Sequence, residues 1–158
     1  MVIRAVDAND LPQLSELMLE YVVDFYKQPD PGNRAVKNHI AYLLLHPDMG
    51  EQWVAEDHRT LRGFATLYFT FSTLRLQRIA ILNDLYVSAS VRGQGIGEAL
   101  FNRAFQAGRD RGVVFLQWET TRDNLVAQHL YKKVGGTVSD LIVYHRDYPG
   151  IDDTDREG

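Results

Sequence analysis

The sequence predicts an α/β fold in which helices pack on a mixed β-sheet. Apolar residues recur at strand spacing in some segments and at helix spacing in others, and the two kinds of segment alternate along the chain. With 158 residues and 45% hydrophobic content, the chain has the size and composition of one globular domain. We therefore expect a single domain over residues 1–150 and a disordered acidic tail over residues 151–158.

The first part of the chain predicts a strand followed by a helix. Residues 2–6 alternate between apolar and polar, which is typical of a short strand. Asn9 or Asp10 is suited to cap a helix that has Pro12 in its first turn. Apolar residues then recur at helical spacing as far as Phe25, so the pattern predicts one continuous helix up to that point.

A second helix and three strands are predicted in the middle of the chain. The helix runs over residues 34–45 and stops before Pro47. Residues 53–56 and 63–71 are predicted to form a hairpin, and residues 79–87 the next strand.

The remaining elements alternate between helix and strand. A helix begins after a glycine-rich run and ends near Gly112, and a strand follows over residues 113–119. A further helix covers residues 125–134, and a last strand covers residues 137–144 after two glycines.

The glycine-rich run carries the strongest functional signal. It lies where a predicted strand leads into a predicted helix and reads Arg92-Gly93-Gln94-Gly95-Ile96-Gly97. Glycine lets a backbone approach a ligand closely, and the first N–H groups of a helix lack partners at the positive end of its dipole. The run therefore predicts a site for a phosphate-bearing ligand. The alternative is a glycine-rich turn that starts a helix and binds nothing.

Two familiar phosphate loops do not fit this run. A dinucleotide fingerprint requires glycine where Glu98 stands, and a Walker loop requires Gly-Lys-Ser/Thr, which the sequence does not contain. The pattern Arg92-x-x-Gly95-x-Gly97 instead resembles the acetyl-CoA pyrophosphate loop of the GNAT acetyltransferase superfamily.

Further resemblances to the same superfamily lie along most of the chain. Residues 124–135 resemble the family stretch N-x-x-A-x-x-L-Y-x-x-x-G, and the predicted order of elements matches the family arrangement. Trp118-Glu119-Thr120-Thr121 resembles a narrower group, the small yeast histone and D-amino-acid acetyltransferases. The resemblance implies the GNAT acyl-CoA N-acyltransferase fold: a central, mostly antiparallel mixed sheet with a splay between two strands, flanked by helices.

The resemblance also implies acetyl-CoA as the acyl donor. Its pyrophosphate is expected against Arg92 and the backbone of residues 93–97. Its pantetheine arm is expected to pair with free backbone groups of Leu85 and Val87, in the segment that includes Tyr86. The other expected cofactor contacts are Asn124, Ala127 and Tyr131.

Catalytic roles are expected for three residues. Tyr131 lies one helical turn after Ala127 on the same face, which places its phenol to protonate the departing thiolate. The alternative for Tyr131 is a core tyrosine with a satisfied hydroxyl. The acceptor amine must be neutral to attack, so a base has to take its proton. Asp84 and Glu119 are the two candidates for that base, and water is the third option.

The acceptor is expected to be a primary amine, although its identity stays open. A small amine, an amino acid, a polyamine, an aminoglycoside or a peptide lysine all fit, and the formal net charge of −4 suits a cation. By resemblance to the narrower group, the acceptor pocket is bordered by Glu20, Tyr21, Phe25, Tyr26 and Trp118. The alternative is an amphipathic helix that packs its aromatic stripe into the core.

Composition bounds the remaining properties. The chain has no cysteine, so an acyl-enzyme lacks an obvious carrier and direct transfer in a ternary complex is predicted. The acidic balance argues against a nucleic-acid partner, and the five histidines show no metal-ligand spacing. No apolar run is long enough for a membrane span, and the missing export signal predicts a cytoplasmic location.

Alternatives stay open for function and for assembly. A catalytically silent acyl-CoA-binding regulatory module would carry the same cofactor motifs, and an N-acyltransferase that uses a different acyl-CoA would carry them too. A homodimer is expected to form through sheet edges, at residues 141–144 and at the aromatic residues Tyr68, Phe69 and Phe71. The alternative is that these residues are partly buried inside a monomer.

Overall fold

A computed structural model describes residues 1–149, so the predicted tail over residues 151–158 lies outside the described residues. The strands are β1 (Val2–Ala5), β2 (Gly50–Asp57), β3 (Thr60–Ser72), β4 (Gln77–Val87) and β5 (Leu116–Gln117). The helices are α1 (Leu11–Leu19), α2 (Asn33–Leu45), α3 (Ile96–Asp110) and α4 (Leu125–Lys133). Within residues 1–149, none of the helices has the length and apolar character that a bilayer crossing requires.

The strands form one mixed, mostly antiparallel sheet in the order β1-β2-β3-β4-β5. Neighbours from β1 to β4 pair antiparallel, and β5 returns through α3 to pair parallel with β4. α1 and α2 cover one face, where Leu14 and Ile40 belong to a buried cluster with Phe64. α3 covers the other face, where Leu100 clusters with Leu67. The predicted α/β class is confirmed.

The N-terminal cap differs from the prediction. Asp7 caps the first helix, because its carboxylate accepts a hydrogen bond from the Asn9 N–H at 2.8 Å. Asp10 is buried and accepts instead from the Asp7 N–H and from two nitrogens of Arg4, each at 2.8 Å. The hydrogen-bonded Arg4 holds the pKa of the Asp10 carboxyl below its usual value. The cap lies earlier than predicted because a 3₁₀ turn, Ala8–Asp10, precedes α1.

The first helix changes its winding after α1. It continues as a π-helical turn over Glu20–Phe25, in which the Tyr26 N–H donates to the Tyr21 carbonyl at 3.0 Å. A π turn holds an extra residue, which shifts the following side chains around the helix. Tyr21 and Phe25 consequently pack against Tyr26, with ring centroids 4.9 and 5.1 Å away. Apolar spacing alone did not distinguish this turn from an α-helix.

β4 is irregular where it passes the centre of the sheet. Thr66 of β3 faces Asp84, whereas the next residue, Leu67, faces Leu82. Asn83 is therefore an extra residue in β4. Such a β-bulge bends the strand and increases its twist.

β4 and β5 separate beyond a short stretch of pairing. They pair at two positions, the second being Ile81 with Gln117. Past Ile81, no strand among residues 1–149 pairs with β4 on this side. Trp118, directly after β5, turns into the core, where its ring centroid lies 5.1 Å from that of Phe101. This separation is the expected splay.

Two predicted strands differ from the structure. The strand predicted over residues 113–119 is shorter in the structure, where only the two residues of β5 form a strand. Its backbone hydrogen bonds to β4 begin earlier, because the Val114 N–H donates to the Arg78 carbonyl at 3.2 Å. The prediction of a last strand over residues 137–144 is wrong, since these residues are exposed and belong to no sheet within the described part of the chain. Apolar and β-branched residues favour a strand, but a strand also needs an edge to pair with.

Candidate active site

A pocket opens at the splay between β4 and β5. The π turn, β4, the segment after β5 and α4 each contribute to it. The lining residues are Tyr21, Phe25, Tyr26, Leu82, Asn83, Leu85, Glu119, Thr120, Asn124, Ala127 and Tyr131. The fold thus brings together at least one residue from each of the expected acceptor, cofactor and catalytic sets, although they lie far apart in the sequence.

Alternate residues of β4 turn their backbone groups toward this pocket. The Ser88 N–H donates to the Arg62 carbonyl at 2.8 Å. Because hydrogen-bonded pairs alternate along an antiparallel ladder, Tyr86 also directs its backbone groups toward β3. Leu85 and Val87 then direct theirs toward the splay, where β4 has no neighbouring strand. Their N–H and C=O groups are placed to pair with an extended ligand.

The glycine loop leaves amide groups free at the start of α3. Gly93 and Gly95 have φ of 78° and 80°, a region in which other residues are strained. Among residues 1–149, no side chain caps α3, and Ala99 is the first residue there whose N–H has an acceptor, the Gly95 carbonyl at 3.1 Å. The N–H groups of residues 96–98 remain at the positive end of the helix dipole. This geometry fits a phosphate group.

Two residues of the loop have structural contacts as well. A Cβ at Gly97 would lie 3.3 Å from Leu130 and 3.8 Å from Val87, so glycine lets α3 pack closely on α4 and β4. The Nε of Arg92 donates to the Val87 carbonyl at 2.9 Å, and its guanidinium lies 5.4 Å from the ring centroid of Phe25. Arg92 therefore occupies one of the backbone acceptors that face the splay.

α4 presents a protonated phenol to the pocket. Asn124 caps this helix by accepting a hydrogen bond from the Ala127 N–H at 3.1 Å. Tyr131 packs against Trp118 at 5.5 Å between ring centroids. Burial raises the pKa of Tyr131 to about 12, with a smaller contribution from nearby Tyr26. The phenol is consequently neutral at neutral pH and can donate a hydrogen bond.

Asp84 is a buried carboxyl beside the pocket. Its exposed fraction is 9%, and burial raises its pKa above the usual aspartate range. The side chains of Thr66, Tyr21 and Asn83 oppose this shift. Asn83 donates its side-chain amide to the Asp84 carboxylate at 3.0 Å. A raised pKa brings a carboxylate closer to the value that suits a general base at neutral pH.

The other expected residues occupy different surroundings. Glu119 is exposed and lines the pocket. Trp118 packs behind Tyr131 and is not among the lining residues. Glu20 accepts a hydrogen bond from the Tyr86 hydroxyl at 3.1 Å, so its carboxylate is engaged by β4.

Known proteins resemble this chain in sequence and in fold. The model of the Acetyltransferase (GNAT) family matches residues 13–136. The chain belongs to the GNAT acetyltransferase family. It is 30% identical over 142 residues to the N-acetyltransferase YhfO of Bacillus subtilis, a match that covers 85% of this chain and 89% of the relative.

Two further matches span almost the whole GNAT domain. The D-amino-acid N-acetyltransferase HPA3 of Saccharomyces cerevisiae is 29% identical over 150 residues, which is 92% of this chain and 90% of the relative. The crystal structure of a probable acetyltransferase matches with a TM-score of 0.80 and 28% identity, across 96% of this chain and 99% of that one. Membership of the GNAT family confirms the predicted activity and cofactor: the protein is an acetyl-CoA-dependent N-acetyltransferase.

Three pocket residues of this GNAT enzyme were not expected from the sequence. They are Leu82, Asn83 and Thr120. Asn83 could have been noticed in the sequence, because asparagine and aspartate are rare in strands and an Asn-Asp pair inside an apolar strand is consistent with a bulge. Leu82 and Thr120 have no such feature in the sequence, since they reach the pocket only because β4 diverges from β5.

We predict that Gly95→Ala weakens acetyl-CoA binding by about tenfold or more, whereas Gly112→Ala leaves it unchanged. The two glycines have φ of 80° and 78°, and a Cβ at either would meet no atom within 4 Å. Alanine therefore costs similar backbone strain at both, about 1–2 kcal/mol. Only Gly95 shapes the free amides at the start of α3. Calorimetric titration with CoA measures the affinity, and urea denaturation checks that the two variants lose equal stability. Equal affinities in the two variants would contradict the assignment of this loop.

Proposed function

We propose that this GNAT enzyme transfers the acetyl group directly to the primary amine of a small cationic acceptor, in a ternary complex. The observation that carries the proposal is the pocket at the splay, where Tyr131 of α4 meets the aromatic π turn. The absence of cysteine from the sequence supports direct transfer over an acylated enzyme.

The acyl donor fits along the open side of β4. The free N–H groups of residues 96–98 would hold its diphosphate, and the backbone of Leu85 and Val87 would pair with its pantetheine arm. Acetyl-CoA supplies an activated acyl group in this position. A β4 N–H that donates to the thioester oxygen stabilises the transition state by about 3–4 kcal/mol in typical cases. Arg92 would release the Val87 carbonyl on binding, which frees its guanidinium for the diphosphate.

We assign the general base to Asp84. Its burial raises its pKa toward the working range of a base, whereas Glu119 is exposed. Asp84 does not itself line the pocket, but its hydrogen-bonded neighbour Asn83 does. A water molecule at Asn83 would therefore carry the proton from the acceptor amine to Asp84.

We assign the leaving group's proton to Tyr131. The thiolate of CoA is a stronger base when it departs into a dry pocket, and a neutral phenol beside it donates a hydrogen bond or a proton. The pKa of Tyr131, about 12, keeps this phenol neutral before the reaction.

The acceptor side of the pocket suits a cation. Tyr21, Phe25 and Tyr26 supply aromatic faces, which attract a positive charge. Glu119 supplies a carboxylate at the same pocket. The name of the relative HPA3 assigns it D-amino acids, so amino acids with a positively charged side chain are the acceptor class that we place first. Polyamines, other small amines and peptide lysines follow.

We predict that a panel of amines separates the acceptor classes. Release of free CoA thiol should be fastest for small acceptors that carry a second positive charge, and Glu119→Gln should lower kcat/KM for these by about fivefold to tenfold. For acceptors without a second positive charge, the kcat/KM of Glu119→Gln should stay close to that of the wild type. A chain that binds acetyl-CoA but releases no thiol with any amine would instead be the catalytically silent binding module. Faster turnover with propionyl-CoA or succinyl-CoA would identify a different acyl donor.

We predict that Tyr131→Phe lowers kcat by about 100-fold or more, because general acid catalysis contributes this much. The dissociation constant for acetyl-CoA should change by less than about threefold, since the ring remains. Steady-state kinetics and calorimetry measure the two quantities. Tyr42→Phe is the matched control, because Tyr42 is exposed on α2 and away from the pocket. Comparable losses in kcat and in affinity would reassign Tyr131 to binding.

We also propose that two copies of the chain pair through the C-terminal segment. Val138 is fully exposed, and residues 141–144 expose between 63% and 88% of their surface although all four are apolar or aromatic. Exposure on this scale is typical of a surface that a partner covers, and β5 offers a free edge among the described residues.

Sedimentation velocity tests this assembly. We predict a dimer for the wild-type chain and a shift toward monomer when Ile142→Asp and Tyr144→Asp are combined. Leu74→Asp is the control, because Leu74 is fully exposed in the turn between β3 and β4. A wild-type monomer at all concentrations would contradict the proposal.

A further inference from the structure

A row of three polar side chains crosses the sheet beneath α1 and α2. Gln52 of β2 faces Thr66 of β3, and Thr66 faces Asp84 of β4. Their exposed fractions are 6%, 0% and 9%. Side chains directly opposite one another in neighbouring strands lie on the same face. Phe64, two residues before Thr66, belongs to the apolar core of that face, so the row is a polar insertion into a hydrophobic layer.

The environment of Gln52 defines the orientation of its amide. Its Nε2 donates to Thr66 Oγ1 at 3.1 Å and lies 3.7 Å from the sulfur of Met18. A thioether sulfur accepts hydrogen bonds and cannot donate them, so the nitrogen belongs on this side. The Oε1 is buried and has no donor within residues 1–149. An apolar residue would leave no such unpaired acceptor, so stability alone does not account for a glutamine here.

The Thr66 hydroxyl lies in the row between Gln52 and Asp84. It has a single hydrogen, and it accepts from Gln52, so its own hydrogen is directed to another acceptor. The carboxylate of Asp84 is the facing acceptor in the next strand. Burial raises the pKa of Asp84, and the Thr66 hydroxyl is the strongest of the groups that lower it again. Asp84 is thus the acceptor that faces the Thr66 hydroxyl on the side away from Gln52.

We propose that Thr66 and Gln52 are positioning residues for the general base, which hold the Asp84 carboxylate in one orientation and keep it ionised inside the core. The inference rests on the proposed function only through the role of Asp84. Neither Thr66 nor Gln52 lines the pocket at the splay, so both act through the carboxylate. The Thr66 proton stays on its oxygen throughout turnover.

Titratable groups on other elements also face Asp84. They are Tyr21 of the π turn, Tyr68 of β3 and His39 of α2. Burial raises the pKa of both tyrosines, that of Tyr68 to about 12, so both stay neutral while an aspartate titrates. His39 binds the Tyr68 hydroxyl at 2.7 Å. The charge of His39 must therefore be held constant in any test of the row.

The test is an NMR titration of the whole chain, labelled with ¹³C at the aspartate carboxyl carbons and assigned with Asp84→Asn. Thr66→Val keeps the side-chain shape and removes the hydroxyl. It should raise the pKa of Asp84 by about one pH unit, because a hydrogen bond to a charged group is lost. Thr66→Ser keeps the hydroxyl and should restore the wild-type titration. Gln52→Met should shift the titration in the same direction by less, since it only frees the Thr66 hydroxyl to rotate.

The matched control removes a buried hydroxyl outside the row. Ser15 is fully buried on α1 and donates to the Pro12 carbonyl at 2.9 Å. Ser15→Ala should leave the titration of Asp84 unchanged. The variants are compared again with His39→Gln present, and the same shifts should appear there.

Kinetics then connects the row to the reaction. A base acts when it is deprotonated, so a higher pKa of Asp84 moves the acidic limb of the kcat/KM profile to higher pH. Below that limb, Thr66→Val should show about tenfold lower kcat/KM than the wild type, and Thr66→Ser should not. An unchanged Asp84 titration in Thr66→Val, or an equal shift in Ser15→Ala, would overturn the inference. A shifted titration with an unmoved acidic limb would leave the row intact and show that Asp84 is not the base.

Discussion

One strand with a free side is the constraint on which this enzyme depends. β4 is paired with β3 along its length, but it pairs with β5 at only two positions. A strand inside a sheet normally satisfies its backbone groups on both sides. Here the bulge at Asn83 bends β4, and Trp118 turns the chain after β5 into the core. The backbone that this leaves unpaired is the surface that we propose for the pantetheine arm of acetyl-CoA.

The site around this strand combines groups that burial makes chemically useful. Burial raises the pKa of the Tyr131 phenol, which stays neutral. The raised pKa of Asp84 also follows from desolvation, and burying this carboxyl costs stability. The polar neighbours of Asp84 partly offset that cost. The exposed carboxylate of Glu119 and the aromatic π turn lie on the acceptor side. In the proposed mechanism, buried groups handle the protons and accessible groups recognise the acceptor.

Much of this arrangement was predictable because local rules govern it. The glycines at 93 and 95 adopt the positive φ that other residues avoid, and the first turn of α3 leaves its N–H groups free for the same local reason. The helix that carries Ala127 and Tyr131 follows from apolar spacing. The π turn at Glu20–Phe25 and the failure of residues 137–144 to pair were not predictable in this way. The first depends on packing of aromatic rings, and the second depends on which edge is available.

The amino-acid sequence by itself determined the class of fold, the position of the glycine loop at the start of α3 and the family, since each depends on residue type and spacing along the chain. The three-dimensional structure alone decided how β4 parts from β5, where Trp118 packs, and how Gln52, Thr66 and Asp84 line up across three strands. Contacts between segments that lie far apart in the chain depend on strand register. A shift of one residue would move every side chain to the other face, and no local pattern of these residues specifies that register.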